Sequence, residues 1–127
     1  MTRTFENIIA WKKAHEFVVQ VYRTTSSFPD FEKFGLCSQF QRAAVSVPAN
    51  IAEGYKKISK ADKLRFFNIS QGSLEECRNY HILSRDLGYI ENEEFCLLHQ
   101  SLEETSKFLN AYCKAIVNNQ AMKEDWI

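Results

Sequence analysis

Prolines and glycines are scarce: the 127-residue chain has two of the first and four of the second. So little punctuation argues against many short strands and favours a few long helices. Net charge is missing too, sixteen basic residues being matched by sixteen acidic ones. A neutral chain does not draw nucleic acid by bulk charge, so such a role needs a local patch. No apolar run approaches the roughly 20 residues of a membrane span. The opening Met1-Thr2-Arg3-Thr4-Phe5-Glu6 lacks the apolar core of a signal peptide. Cys37, Cys77, Cys96 and Cys113 form no Cys-x-x-Cys pair and share no metal-ligand spacing with His15, His81 or His99. They read as small buried hydrophobes, free thiols in a reducing cytoplasm, with no metal or cofactor.

What is present is helical periodicity over a single domain, 1–127, long enough to bury a core without disulfides. The chain is organised around Gln39 to Gly54. Read as a helix, this stretch places Gln39, Arg42, Ser46, Asn50 and Glu53 on one face, beside an apolar stripe of Phe40, Ala43, Ala44, Val47 and Ile51. A polar row among small apolar residues is either a hydrogen-bonded seam inside a bundle or a recognition surface. The seam is the expectation, because buried polar groups find partners. Pro48 removes a backbone donor within this helix, and the alanine-rich flanks favour a kinked but continuous rod. Gly54 is expected to stop it.

Three further helices follow from the pattern. The first runs from about Asn7 to Ser26, with Ile8, Trp11, His15, Val18, Tyr22 and Thr25 on one face and Ala14 and Val21 widening it. Phe28-Pro29 ends it, and Phe31, Phe34 and Leu36 are expected to cover the end of the core. Ser59-Lys60-Ala61-Asp62 resembles a capping box opening a third helix that reaches about Leu87. Its bundle-facing seam is Phe66, Ile69, Ser73, Cys77, Tyr80, Ser84 and Leu87. Leu64, Phe67, Leu74 and Ile82 suggest a second contact surface, and Gly72 and Ser73 a close helix approach. Gly88 closes that helix, and Asn92 caps a fourth. There Phe95, Leu98, Leu102, Thr105, Leu109, Tyr112 and Ile116 alternate by three and four. Ala121 to Ile127 reads as a loose tail whose Trp126 and Ile127 could dock on a partner. The expected fold is all-α, an antiparallel up-down-up-down four-helix bundle with short connections.

Gln39-x-x-Arg42-Ala43-Ala44-x-Ser46-Val47-Pro48-Ala49-Asn50-Ile51-Ala52-Glu53-Gly54 resembles the signature of the four helix bundle protein family, also called the 23S rRNA intervening-sequence protein family. Trp11-x-x-Ala14-His15, Phe28-Pro29 with Phe34-Gly35-Leu36, and Gly72-Ser73-Leu74-x-Glu76 agree in order. The resemblance implies no settled activity. That family is in turn similar to the accessory proteins of diversity-generating retroelements, which form pentameric rings and engage nucleic acid. By analogy alone, this implies a homo-oligomer here, a pentamer favoured.

No catalytic constellation stands out. A di-iron bundle uses Glu-x-x-His pairs, and neither Glu76 to His81 nor Glu94 to His99 has that spacing. Ser46, Ser73 and the cysteines lack a nucleophile's context. Binding is the better class. Lys56, Lys57, Lys60, Lys63 and Arg65 crowd the second connection against a single acid, Asp62, and Lys12 and Lys13 would add to a basic surface if assembly gathers them. Such a surface would take RNA or DNA with a marked salt dependence. The alternative is a protein-interaction scaffold, whose exposed apolar positions, not its lysines, control binding.

Overall fold

The computed structural model describes residues 4–119. A short 3-10 turn, Phe5–Asn7, leads into α1 (Ile9–Thr25); a second, Asp30–Glu32, leads into α2 (Leu36–Lys56); α3 (Lys60–Asp86) and α4 (Asn92–Val117) follow. This is an all-α four-helix bundle. Side-chain pairs give the directions of its neighbours. Ser46 meets Ser73 and Tyr55 meets Lys63, so α2 and α3 run oppositely. Gln71 meets Asn110 and Arg78 meets Glu103, so α3 and α4 do as well.

The core is one cluster drawn from all four helices, with Phe17, Phe40, Phe67, Leu98, Leu102 and Leu109 among its members. Each such side chain, taken fully out of water, contributes about 1.5–3 kcal/mol before entropy is charged against it. A smaller cluster of Phe28, Leu36, Cys37 and Ile90 seals the end near the α3–α4 connection.

The fourth helix follows its expected seam: Leu98, Leu102, Thr105, Leu109, Tyr112 and Ile116 are all buried, with Phe95 half-buried at the end. The other faces need correction. On α1, Ile8, Ala14, Val21 and Thr25 are buried as expected, but Ala10, Phe17 and Thr24 complete the row in place of Trp11, His15, Val18 and Tyr22. His15 and Tyr22 are exposed, and His15 stacks on Trp11 with ring centres 5.0 Å apart. On α3 the buried row is Phe67, Ser70, Leu74, Cys77, His81 and Ser84, so Phe67 and Leu74 belong to the core while Ile69 and Leu87 face solvent. Phe31 and Phe34 do not cover the core; they are 78% and 88% exposed. Of the cysteines, Cys37 and Cys77 are buried, Cys113 is half-buried, and Cys96 is exposed instead of buried.

The α2 helix passes through Pro48 unbroken. Proline offers no N–H, so the Ala44 carbonyl loses its usual helical donor. The Ser70 hydroxyl of α3 donates to the neighbouring Val47 carbonyl at 2.8 Å, tying the two helices where α2 is weakest. Gly54 does not end the helix. It is buried inside the last turn, where a β-carbon would collide with Phe67. Gly72, expected at a close approach, has nothing within 4 Å of where its β-carbon would lie.

Ser59 caps α3, its hydroxyl accepting from the Asp62 N–H at 3.1 Å. Gly88 ends the same helix at φ +77°, a left-handed position that glycine occupies without strain. Gly88 N–H donates to Arg85 O and Tyr89 N–H to Ser84 O, the paired bonds of a Schellman turn. Asn92 is the first residue of α4; the cap position is Glu91, whose side chain makes no capping bond. Among the described residues, no helix is long and apolar enough to cross a membrane. The expected tail, Ala121 to Ile127, lies outside the described residues.

Candidate functional site

The polar row of α2 lies along its border with α3. Gln39, Arg42 and Glu53 are exposed, and Ser46 and Asn50 are half-buried. Within this chain the row is therefore not a closed seam, because only its middle falls under a neighbouring helix. That middle is well bonded. The Ser46 and Ser73 hydroxyl oxygens lie 2.8 Å apart. The Asn50 amide donates to the Ser46 hydroxyl at 3.0 Å and to the Ser46 carbonyl at 2.8 Å. Gln41, one residue before Arg42 and so on another side of α2, bonds instead to the Thr25 hydroxyl of α1 at 2.9 Å.

Beside this network is an open groove of about 680 Å³, lined by Ser46, Ala49, Asn50, Glu53, Lys56 and Lys57 among others. The small alanines make it shallow and accessible. Its floor is a serine–asparagine network, and its far end is cationic.

That end is the α2–α3 junction. The connection is short, so the last turn of α2 and the first turns of α3 bring Lys56, Lys57, Lys60, Lys63 and Arg65 together. The Lys57 ammonium lies 4.9 Å from the Phe66 ring centre, and the Arg65 guanidinium 4.7 Å from the same ring. Asp62 offsets part of the Arg65 charge at 3.8 Å. Lys63 is engaged differently. Its ammonium donates to the Tyr55 carbonyl at 2.6 Å, in the last turn of α2, and burial lowers its pKa. Lys56 and Lys60 are exposed, and Ile58 at the tip of the connection is 99% exposed. Lys12 and Lys13 stand apart on α1, where Lys13 pairs with Glu16 and with Glu104 of α4 at 3.8–3.9 Å.

Three of the four thiols are shielded by burial. Burial pushes Cys77 up to about 12 and Cys113 up to about 11, and raises Cys37, so these groups stay protonated near neutral pH. A second cavity of about 300 Å³, bordered by Thr25, Asp30, Lys33, Cys37 and Gln41 among others, opens at the opposite end of the bundle.

The comparisons with known proteins agree with the fold. The family model described as 23S rRNA-intervening sequence protein matches residues 6–111. The chain belongs to that family. A solved relative is described as a protein with unknown function from the S23 ribosomal protein family of Bacteroides thetaiotaomicron. It is 25% identical, with a TM-score of 0.75, over 84% of this chain and 99% of that one. No curated protein matches the chain. Family membership thus places the α2 stretch in a known class of bundle without attaching a reaction to it.

Proposed function

We propose that this protein is a non-catalytic, oligomeric helical-bundle protein of the cytoplasm that holds RNA or DNA on the basic α2–α3 junction. The observation that carries this reading is the junction itself. One tight turn gathers five cations in a chain of zero net charge, and Phe66 and Tyr55 hold several of them in place. A preorganised cation array suits a phosphate backbone, and repetition around a ring would multiply its potential. The pentamer is favoured by the likeness to retroelement accessory proteins.

The test is fluorescence anisotropy with structured RNA and duplex DNA at 50 mM and 200 mM salt, alongside Lys56→Glu/Lys60→Glu. Expected are binding that weakens steeply with salt and its loss in the double variant. Absence of binding at the lower salt sinks the reading. Light scattering after size exclusion reads the assembly, and a monomer removes the ring.

A protein-interaction scaffold is the second reading, favoured by Phe31 and Phe34. These two phenylalanines stand almost fully in water at the opposite end of the bundle. Under that reading, Phe31→Ser/Phe34→Ser abolishes partner capture while Lys56→Glu/Lys60→Glu leaves it intact.

A further inference from the structure

Where α3 meets the start of α4, His81 is 1% exposed and neither ring nitrogen has a hydrogen-bond partner. Its ring lies flat on Phe95, with centres 4.0 Å apart and planes at 8°. His99, one turn further along α4, is near-parallel at 6.4 Å. Phe95 continues into the sealing cluster of Phe28, Leu36, Cys37 and Ile90. The His81 imidazole, together with the Arg85 guanidinium 4.7 Å from the Phe95 ring centre, therefore forms the layer between α3 and the first turns of α4.

The charged and titratable groups acting on it come from both helices. His99 belongs to α4; Arg78 and Arg85 belong to α3. All three disfavour a charged His81 ring. The nearby carboxylates are engaged elsewhere: Glu75 and Glu103 with Arg78, Asp86 with Arg85, Glu76 with Tyr80, and Glu32 with Tyr89. From α2, Cys37 sits in the sealing cluster that Phe95 borders, and burial raises its pKa, so it stays neutral. A protonated ring would carry two N–H donors and a charge, with only the Phe95 backbone nearby to favour it and no acceptor in hydrogen-bond geometry.

We propose that His81 is an acid-sensitive latch: the neutral ring closes α3 on the start of α4, and its protonation releases Phe95 and the first turns of α4. Water entering between the helices is the simplest relief for a buried imidazolium. The start of α4 is the segment that yields, since Glu91 gives it no side-chain cap. Burial pushes the imidazole down to about 4, His99 acts in the same direction, and the Phe95 backbone, outside hydrogen-bond geometry, opposes both. A histidine lowered in the folded state leaves the unfolded chain binding more protons between pH 6.5 and 4. Stability is therefore complete above that window and falls as pH falls through it. The unfolding constant should rise about two orders of magnitude from this group between pH 7 and pH 4.

The experiment compares the full chain with His81→Leu by urea unfolding at pH 7 and pH 4. The leucine variant should be at least as stable at pH 7, because it removes two unpartnered polar atoms. It should also lose roughly a hundredfold less than wild type on acidification. Equal losses overturn the latch. Independently of that variant's folding, an NMR titration of wild-type His81 should show a neutral ring at pH 6. Its protonation near pH 4 should come with lost amide protection over residues 92–99. Titration near 6.5 with those amides still protected overturns the proposal as well.

Discussion

Gly54 and Phe67 are in direct steric contact across α2 and α3: a β-carbon on Gly54 would lie 2.7 Å from the Phe67 ring. Phe67 is fully buried and packs against Tyr112 with ring centres 5.1 Å apart, so it has no room to swing away. Glycine inside a helix ordinarily costs about 1 kcal/mol relative to alanine. Here overpacking reverses the sign. Gly54→Ala should destabilise the protein by about 1–3 kcal/mol, read as a lower urea midpoint at unchanged slope.

Gly72 is the internal control. It is exposed in the middle of α3 with open space around its missing β-carbon. Gly72→Ala should stabilise the isolated chain by up to about 1 kcal/mol. If the same change lowers oligomer size in light scattering, the space at Gly72 belongs to a neighbouring copy.

The hydroxyl pair joining α2 and α3 should show coupling. Ser46→Ala and Ser73→Ala each remove one partner of a half-buried bond that Asn50 also uses. Each single change should cost about 1 kcal/mol, and the double less than the sum of the two. Strict additivity in a double-mutant cycle would make the row a surface feature alone.

Lysines of the junction should separate into two kinds. Lys63 donates to the Tyr55 carbonyl, so Lys63→Met should lower stability by about 0.3–1 kcal/mol. Lys56 and Lys60 are exposed, so Lys56→Met and Lys60→Met should leave the melting temperature unchanged. If the junction binds nucleic acid, each of those two should reduce the salt slope by about 1.

Phe17 tests the corrected face of α1. It is fully buried in the main cluster, whereas Tyr22 is exposed. Phe17→Ala should cost about 3–5 kcal/mol. Tyr22→Ala should fall within about 0.5 kcal/mol of wild type by thermal unfolding.

The sequence exposed the helices more clearly than the faces they bury. Large apolar residues in α4 alternate with strongly charged ones, so its seam had one reading. In α1 and α3 two neighbouring stripes compete. The outer one carries Trp11, Tyr22, Phe66 and Ile69, while the inner one includes Ala10, Thr24 and Ser70. Small side chains contribute little hydropathy, yet they are what lets helices approach closely, so a hydropathy pattern points to the larger residues at the rim. His81 was missed for a related reason: a polar ring gives no apolar signal, and its burial follows from Phe95 on another helix. Of the candidate site, the basic junction was readable because its members are adjacent in sequence. The Ser46–Ser73 bond was not, since it spans two helices.

Glu103 and Glu104 are consecutive, yet one reaches Arg78 of α3 and the other Lys13 of α1. Exposed ion pairs of this sort add little stability. Their value is as an index mark. Sliding α4 along the bundle by a single helical turn would break both contacts together, so two adjacent carboxylates set the height at which the fourth rod stops.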